Sequence, residues 1–286
     1  MLLFFSCNQN GDNEIDTGNL DTTLPHSNTD KKVSEAKKIY YSIPSPAEMA
    51  DILKADGAPY KFELLNDPKN SDKYAGIFKQ ALNLGIYGAD LNYANVFERT
   101  HESMLFMRST RTLAEKLGIE NSVSEATVTR AEENVDNKDS MMVIINDMFI
   151  ELDAYLMDND KQDMSALIIA GGWIEGLYLA TQTVNEKKPN QKMLDRIAEQ
   201  KYSLEHLVHF LDQYNQNENV KPVIADIARL SEIYKKVNIT RVAGNVETDN
   251  EGVTMIGGNS KIDMSIDTFL EIKKTAKEIR DSYIKY

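Results

Sequence analysis

Two stretches, LNLGIYGADLNYA over 82–94 and LIIAGGWIEGLYLA over 167–180, place glycines inside text that otherwise reads as apolar helix. A glycine in a helix interior costs about 1 kcal/mol against alanine, so several together call for a compensating contact. Ala81, Gly85 and Ala89 stand four apart, as do Gly172, Gly176 and Ala180. Small residues at that spacing let a neighbouring backbone come close. The pattern predicts two helices that nest against each other, with Trp173 and Leu177 filling the adjoining core.

The same missing side chains could instead open a cavity. Asp90 and Glu175 would be its polar groups, and Tyr87, Tyr93, Trp173 and Tyr178 its walls. A few convergent polar groups among aromatic rings is the usual make-up of a small-molecule site. The two acids would serve acid–base catalysis only if their helices touch and their surroundings split their pKa values. An ion pair with Arg108 or Arg111 is as natural a fate for a buried acid.

Helical periodicity runs through residues 42–286. Ser45 and Pro46 open a helix that Gly57 ends, and a second is expected over about 71–94. A third carries Val96, Met104, Met107 and Leu113 and stops at Gly118; Ser122 with Glu125 forms a capping box for a fourth. Asp139 is the expected cap of a fifth, and a sixth covers about 163–184. A seventh follows Pro189, an eighth follows Asn219, and a last one puts Ile266, Phe269, Ala276, Ile279 and Tyr283 on one face. Two β-branched runs, 239–242 and 253–256, predict a small β-hairpin or an ordered loop near 239–256.

No Pro/Gly/Ser linker divides residues 42–286, so the expected fold is one all-α domain of antiparallel helix pairs. The glycine stretches also echo each other: Asp90 aligns with Glu175 and Tyr93 with Tyr178, an offset of about 85 residues. Such an echo fits two related halves, and its period is longer than that of the short solenoid repeats.

The chain opens MLLFFSCNQNGDNE. A short apolar run ending in Ser6 and then Cys7 resembles a relaxed lipobox, the signal that places a diacylglycerol on a cysteine thiol. Six residues before Cys7 are fewer than a complete signal needs. Residues 8–32 are polar, acidic and poor in large apolar side chains, the composition of a flexible tether. Residues 1–41 are therefore expected to be a signal remnant, a lipidated cysteine and a tether. Acyl chains contribute about 0.8 kcal/mol per buried methylene, and several on one cysteine anchor durably.

Charge and motif content narrow the function classes. The formal net charge of −13 argues against nucleic acid as a partner, because phosphate binding needs clustered Lys and Arg. One cysteine permits no internal disulfide and no multi-cysteine metal centre. There is no G-x-S-x-G elbow, phosphate-binding loop or dinucleotide fingerprint, and no cofactor is expected. His206 and His209, in EHLVH, stand on adjacent helical turns, yet the text is neither of the metalloprotease motifs. They read as surface histidines, with a shared metal as the alternative.

The stretches IPSPAEMADILKADGAPY, ALNLGIYGADLNYANVF and GGWIEGLYLATQ resemble a group of helical lipoproteins from Bacteroidetes-type Gram-negative bacteria. The resemblance implies a helical fold and an envelope location and transfers no catalytic residue. The sequence thus points to a lipid-anchored envelope protein that binds a protein or small ligand without turning it over. The competing class is an envelope hydrolase using Asp90 and Glu175, or a metal at His206 and His209.

Overall fold

A computed structural model describes residues 54–55, 59–242, 246–248, 254–256 and 259–286. The expectations for Cys7, for the tether and for most of the helix opening at Ser45 fall outside these residues. Within them the fold is all-α. Its helices are α1 (Ile77–Val96), α2 (Thr100–Lys116), α3 (Glu125–Glu133), α4 (Lys138–Asp158), α5 (Gln162–Thr183), α6 (Gln191–Asp212), α7 (Lys221–Tyr234) and α8 (Ile266–Ile284).

Local chemistry sets the helix ends, and several differ from the sequence expectation. Helix α1 begins at Ile77 rather than near 71, because Asp67 caps a short 3-10 turn at Pro68–Asn70 and Gly76, at φ 78°, redirects the chain. Val96 closes α1 instead of opening α2, and Glu98 turns the corner at φ 55°. Ser124, not Ser122, caps α3 by accepting from the Thr127 amide; Ser122 belongs to a preceding 3-10 turn. Asn137 takes the capping role expected of Asp139. Pro222 stands in the first turn of α7, where its missing N–H leaves nothing unsatisfied.

Helices α1 and α5 form the centre. Every residue from Ala81 to Val96 is buried. Helix α5 is long and apolar enough to cross a bilayer, yet 89% of that window is buried inside the protein, which makes it a core helix. A Cβ built on Gly85 would lie 1.9 Å from the Ile168 carbonyl oxygen, and one on Gly171 would lie 2.0 Å from that of Leu82. The two backbones therefore touch through their glycines. Gly85 meets Gly172, and farther along both helices Asp90 comes within hydrogen-bond reach of Glu175. The central pair runs in the same direction.

Their neighbours pair antiparallel. Gly88 faces Phe149 while Asn95 donates to the Lys138 carbonyl, which sets α1 against α4. Arg280 reaches Glu175 while Gln182 donates to the Lys273 carbonyl, which sets α5 against α8. Helix α1 packs on α2, α4, α5 and α8, and α5 packs on α6, α8, α1 and α4. Advancing each helix by four places converts one set into the other. Since α1 and α5 also begin about 85 residues apart, at Ile77 and Gln162, the fold has two corresponding four-helix halves joined at the glycine crossing.

The halves are not identical: α6 packs on α7 while α2 does not pack closely on α3, and between α7 and α8 the second half carries a β-ribbon. Strands β1 (Asn238–Val242) and β4 (Asn259–Asp263) pair antiparallel, and β2 (Val246–Thr248) pairs with β3 (Thr254–Ile256). The hairpin expected near 239–256 is present but longer. Its first β-branched run pairs with NSKID at 259–263 rather than with the second run.

Candidate functional site

The two acids of the glycine helices meet in the interior. Asp90 lies on α1 one helical turn from Tyr87 and Tyr93, so all three share a face. Tyr178 stands in the same relation to Glu175 on α5. Both carboxyl groups have 0% exposure, and Arg280 of α8, at 4%, closes the cluster. Arg280 Nε donates to Glu175 Oε2 at 2.8 Å and its Nη2 to Oε1 at 3.1 Å, a two-pronged ion pair. The same Nη2 donates to the Leu64 carbonyl at 2.9 Å, and the guanidinium sits 4.5 Å from the centre of the Tyr178 ring.

Asp90 is held differently. Its Oδ2 accepts from the Asn66 amide at 3.1 Å, while Oδ1 is buried with no partner among the described residues. Burial holds the Asp90 pKa well above the usual carboxylate range, and the neighbouring charge of Glu175 raises it further; Arg280 and the Asn66 amide oppose them. Burial likewise pushes the Tyr178 hydroxyl up to about 12.

The segment before α1 covers the cluster. Asn66 donates from its side chain to the Tyr74 hydroxyl at 3.0 Å and to Asn83 Oδ1 at 3.1 Å. Asn83 in turn donates to the Tyr283 carbonyl at 3.0 Å, which ties α1 to the end of α8. Tyr87 donates to the Asp67 carbonyl at 2.8 Å. Tyr93 stacks on Tyr60 at 5.4 Å between ring centres and accepts from the Lys61 amide at 3.4 Å.

Of the six residues read as a pocket, the structure thus gathers Asp90, Glu175 and Tyr178 around Arg280, with Tyr87 and Tyr93 under the covering segment. Trp173 stands apart: two residues from Glu175 is about 200° around a helix, and its indole donates to Ser203 on α6 at 3.0 Å. At Gly85, Gly171 and Gly172 the crossing is filled by the facing backbone, so the helices nest there. Neither expected arginine reaches the acids. Arg108 is exposed, and Arg111 pairs with Glu115 on the surface.

Sequence reasoning missed Arg280, Asn66 and Asn83. A signal existed for the first: Arg280 follows Ala276 by four residues and precedes Tyr283 by three, on the apolar face of α8. His206 and His209 both point to solvent on α6, and no group of three metal-ligating side chains occurs among the described residues.

No protein-family model, curated protein or solved structure matches the chain. The functional reading therefore rests on this geometry and on the sequence.

Proposed function

We propose that this chain is a cell-envelope protein, anchored by lipid on Cys7, whose helical body binds a protein or small ligand without turning it over. The observation that carries the non-catalytic reading is the closure of the acid pair. Asp90 and Glu175 have no exposed surface, and both Glu175 oxygens are taken by Arg280. A general acid or base must reach its substrate directly or through one water. Binding then belongs to the outer surface of the body, and the acid–arginine cluster holds that body in shape.

The anchor and the location are supported by the lipobox-like Cys7, by the acidic tether after it, and by the resemblance to helical envelope lipoproteins. The hydrolase reading draws on one specific observation, a raised Asp90 pKa beside a second carboxylate, which is how acid–base pairs are tuned. Burial of both groups favours the non-catalytic alternative.

Two measurements test the proposal. Mass spectrometry of membrane fractions should find acylated Cys7 and no Met1, and Cys7→Ser should release the protein; a soluble product retaining Met1 refutes the anchor. Purified protein and Asp90→Asn should be equally inert toward ester, peptide and glycoside substrates. Turnover that Asp90→Asn abolishes while leaving thermal stability intact refutes the non-catalytic reading.

A further inference from the structure

Among the described residues, the central cluster holds one cation, Arg280, for two carboxyl groups, Asp90 and Glu175. Arg280 spends its fork on Glu175, so a charged Asp90 would leave an uncompensated negative charge at a site with no solvent. It would also leave Oδ1 without a partner. A proton removes both problems, because a carboxylic acid is neutral and gains one donor. Glu175 is the acceptor within reach.

We propose that Asp90 is a neutral carboxylic acid donating a hydrogen bond to Glu175, so that a stored proton ties α1 to the α5–α8 ion pair. The charged groups facing Asp90 are Glu175 from α5 and Arg280 from α8. The titratable hydroxyls around it belong to Tyr87 on its own helix, to Tyr178 on α5, and to Tyr60 and Tyr74 from the segment before α1. Helices α2 and α4 turn the rings of Phe106 and Phe149 toward α1. Arg280 is the single cation in this set, and Glu175 holds it.

The proton makes the junction sensitive to alkali. Asp90 keeps its proton in the folded chain and loses it in the unfolded chain above the ordinary aspartate range, about 3.9. The contribution of Asp90 to stability is therefore complete below that range and is lost as pH rises toward its folded pKa. This inference is independent of where the protein resides and of whether it binds or catalyses.

Infrared spectroscopy tests it on the full chain at about pH 6, where an ordinary aspartate is ionised. Protein labelled with heavy carbon at the aspartate carboxyls should show the C=O stretch of a protonated acid, shifted by the label and missing from Asp90→Asn. Asp90 is the only aspartate buried among the described residues, which assigns the band. No such band, or one that moves with labelled glutamate instead, overturns the proposal. Urea unfolding across pH supplies a second readout. The folding constant of wild type should fall about tenfold per pH unit relative to Asp90→Asn over the window between the two pKa values. Parallel curves overturn it. Should Asp90→Asn fail to fold, the labelled wild type decides alone.

Discussion

Arg280 reaches Glu175 from 105 residues farther along the chain, with both oxygens engaged and the Tyr178 ring against its face. Removing it strands Glu175 in a place without water. Arg280→Met should therefore cost about 3–5 kcal/mol at neutral pH, the penalty of breaking a buried pair from one side. The penalty belongs to a buried charge that has lost its partner, so it is absent in acid and grows as pH rises. Urea unfolding near neutrality and again in acid checks this: the deficit should shrink on acidification, and a deficit independent of pH would mean that lost packing alone is responsible. The acids were legible in the sequence because they sit in glycine-bearing apolar helices, where a charge is conspicuous. Their counter-ion was not. Arg108 and Arg111 lie nearer in sequence, and chain distance carries no record of which helix face a tertiary fold will turn inward. Only the register of Arg280 with Ala276 and Tyr283 marked it.

Along the central helices the glycines rank themselves by what a methyl group would strike. At Gly85 and Gly171 the obstacle is backbone oxygen at 1.9 and 2.0 Å, which cannot step aside. Alanine at either position should cost about 3 kcal/mol or more, at or beyond the upper end of ordinary overpacking. At Gly172 the nearest atom is the Gly85 oxygen at 3.3 Å, and the crowding is offset by the better helix propensity of alanine, about 1 kcal/mol. Gly172→Ala should stay within about 1 kcal/mol of wild type by the same reasoning. Gly88→Ala meets the Phe149 ring at 2.2 Å, a side chain that can turn, and should fall between them. Thermal unfolding of the four variants gives the order, and a uniform cost would contradict the backbone contact. Spacing alone identified the glycine contact but selected Gly172, Gly176 and Ala180, whereas the backbone approach is at Gly171 and Gly172. A period of four fixes a stripe along a helix and leaves open which point of it the crossing uses. The β-ribbon had a similar limit. Its β-branched runs announced strands, but NSKID has no apolar alternation to reveal that it pairs with the first run.

Across the whole molecule, the two halves share one core rather than owning one each. Each contributes one glycine helix, and the polar cluster takes Asp90 from the first half and Glu175 and Arg280 from the second. A half on its own would expose the buried face of α1 or α5 and leave its part of the cluster unmatched. The turn between α4 and α5, where Asp160 adopts φ 55°, joins the halves through a short exposed connection. Cutting the chain there should produce two fragments that do not fold cooperatively alone, since neither can bury its central helix. Mixed together, they should assemble into a helical complex that unfolds in a single transition, because α1 and α5 need no covalent link to nest. Gly85→Leu in the first fragment should block that assembly by occupying the space of the Ile168 carbonyl. Circular dichroism and analytical ultracentrifugation of the separate and mixed fragments would read the outcome. Two fragments that each melt cooperatively without the other would make the correspondence between halves a pairing of independent domains, and the buried acid cluster an interface between them.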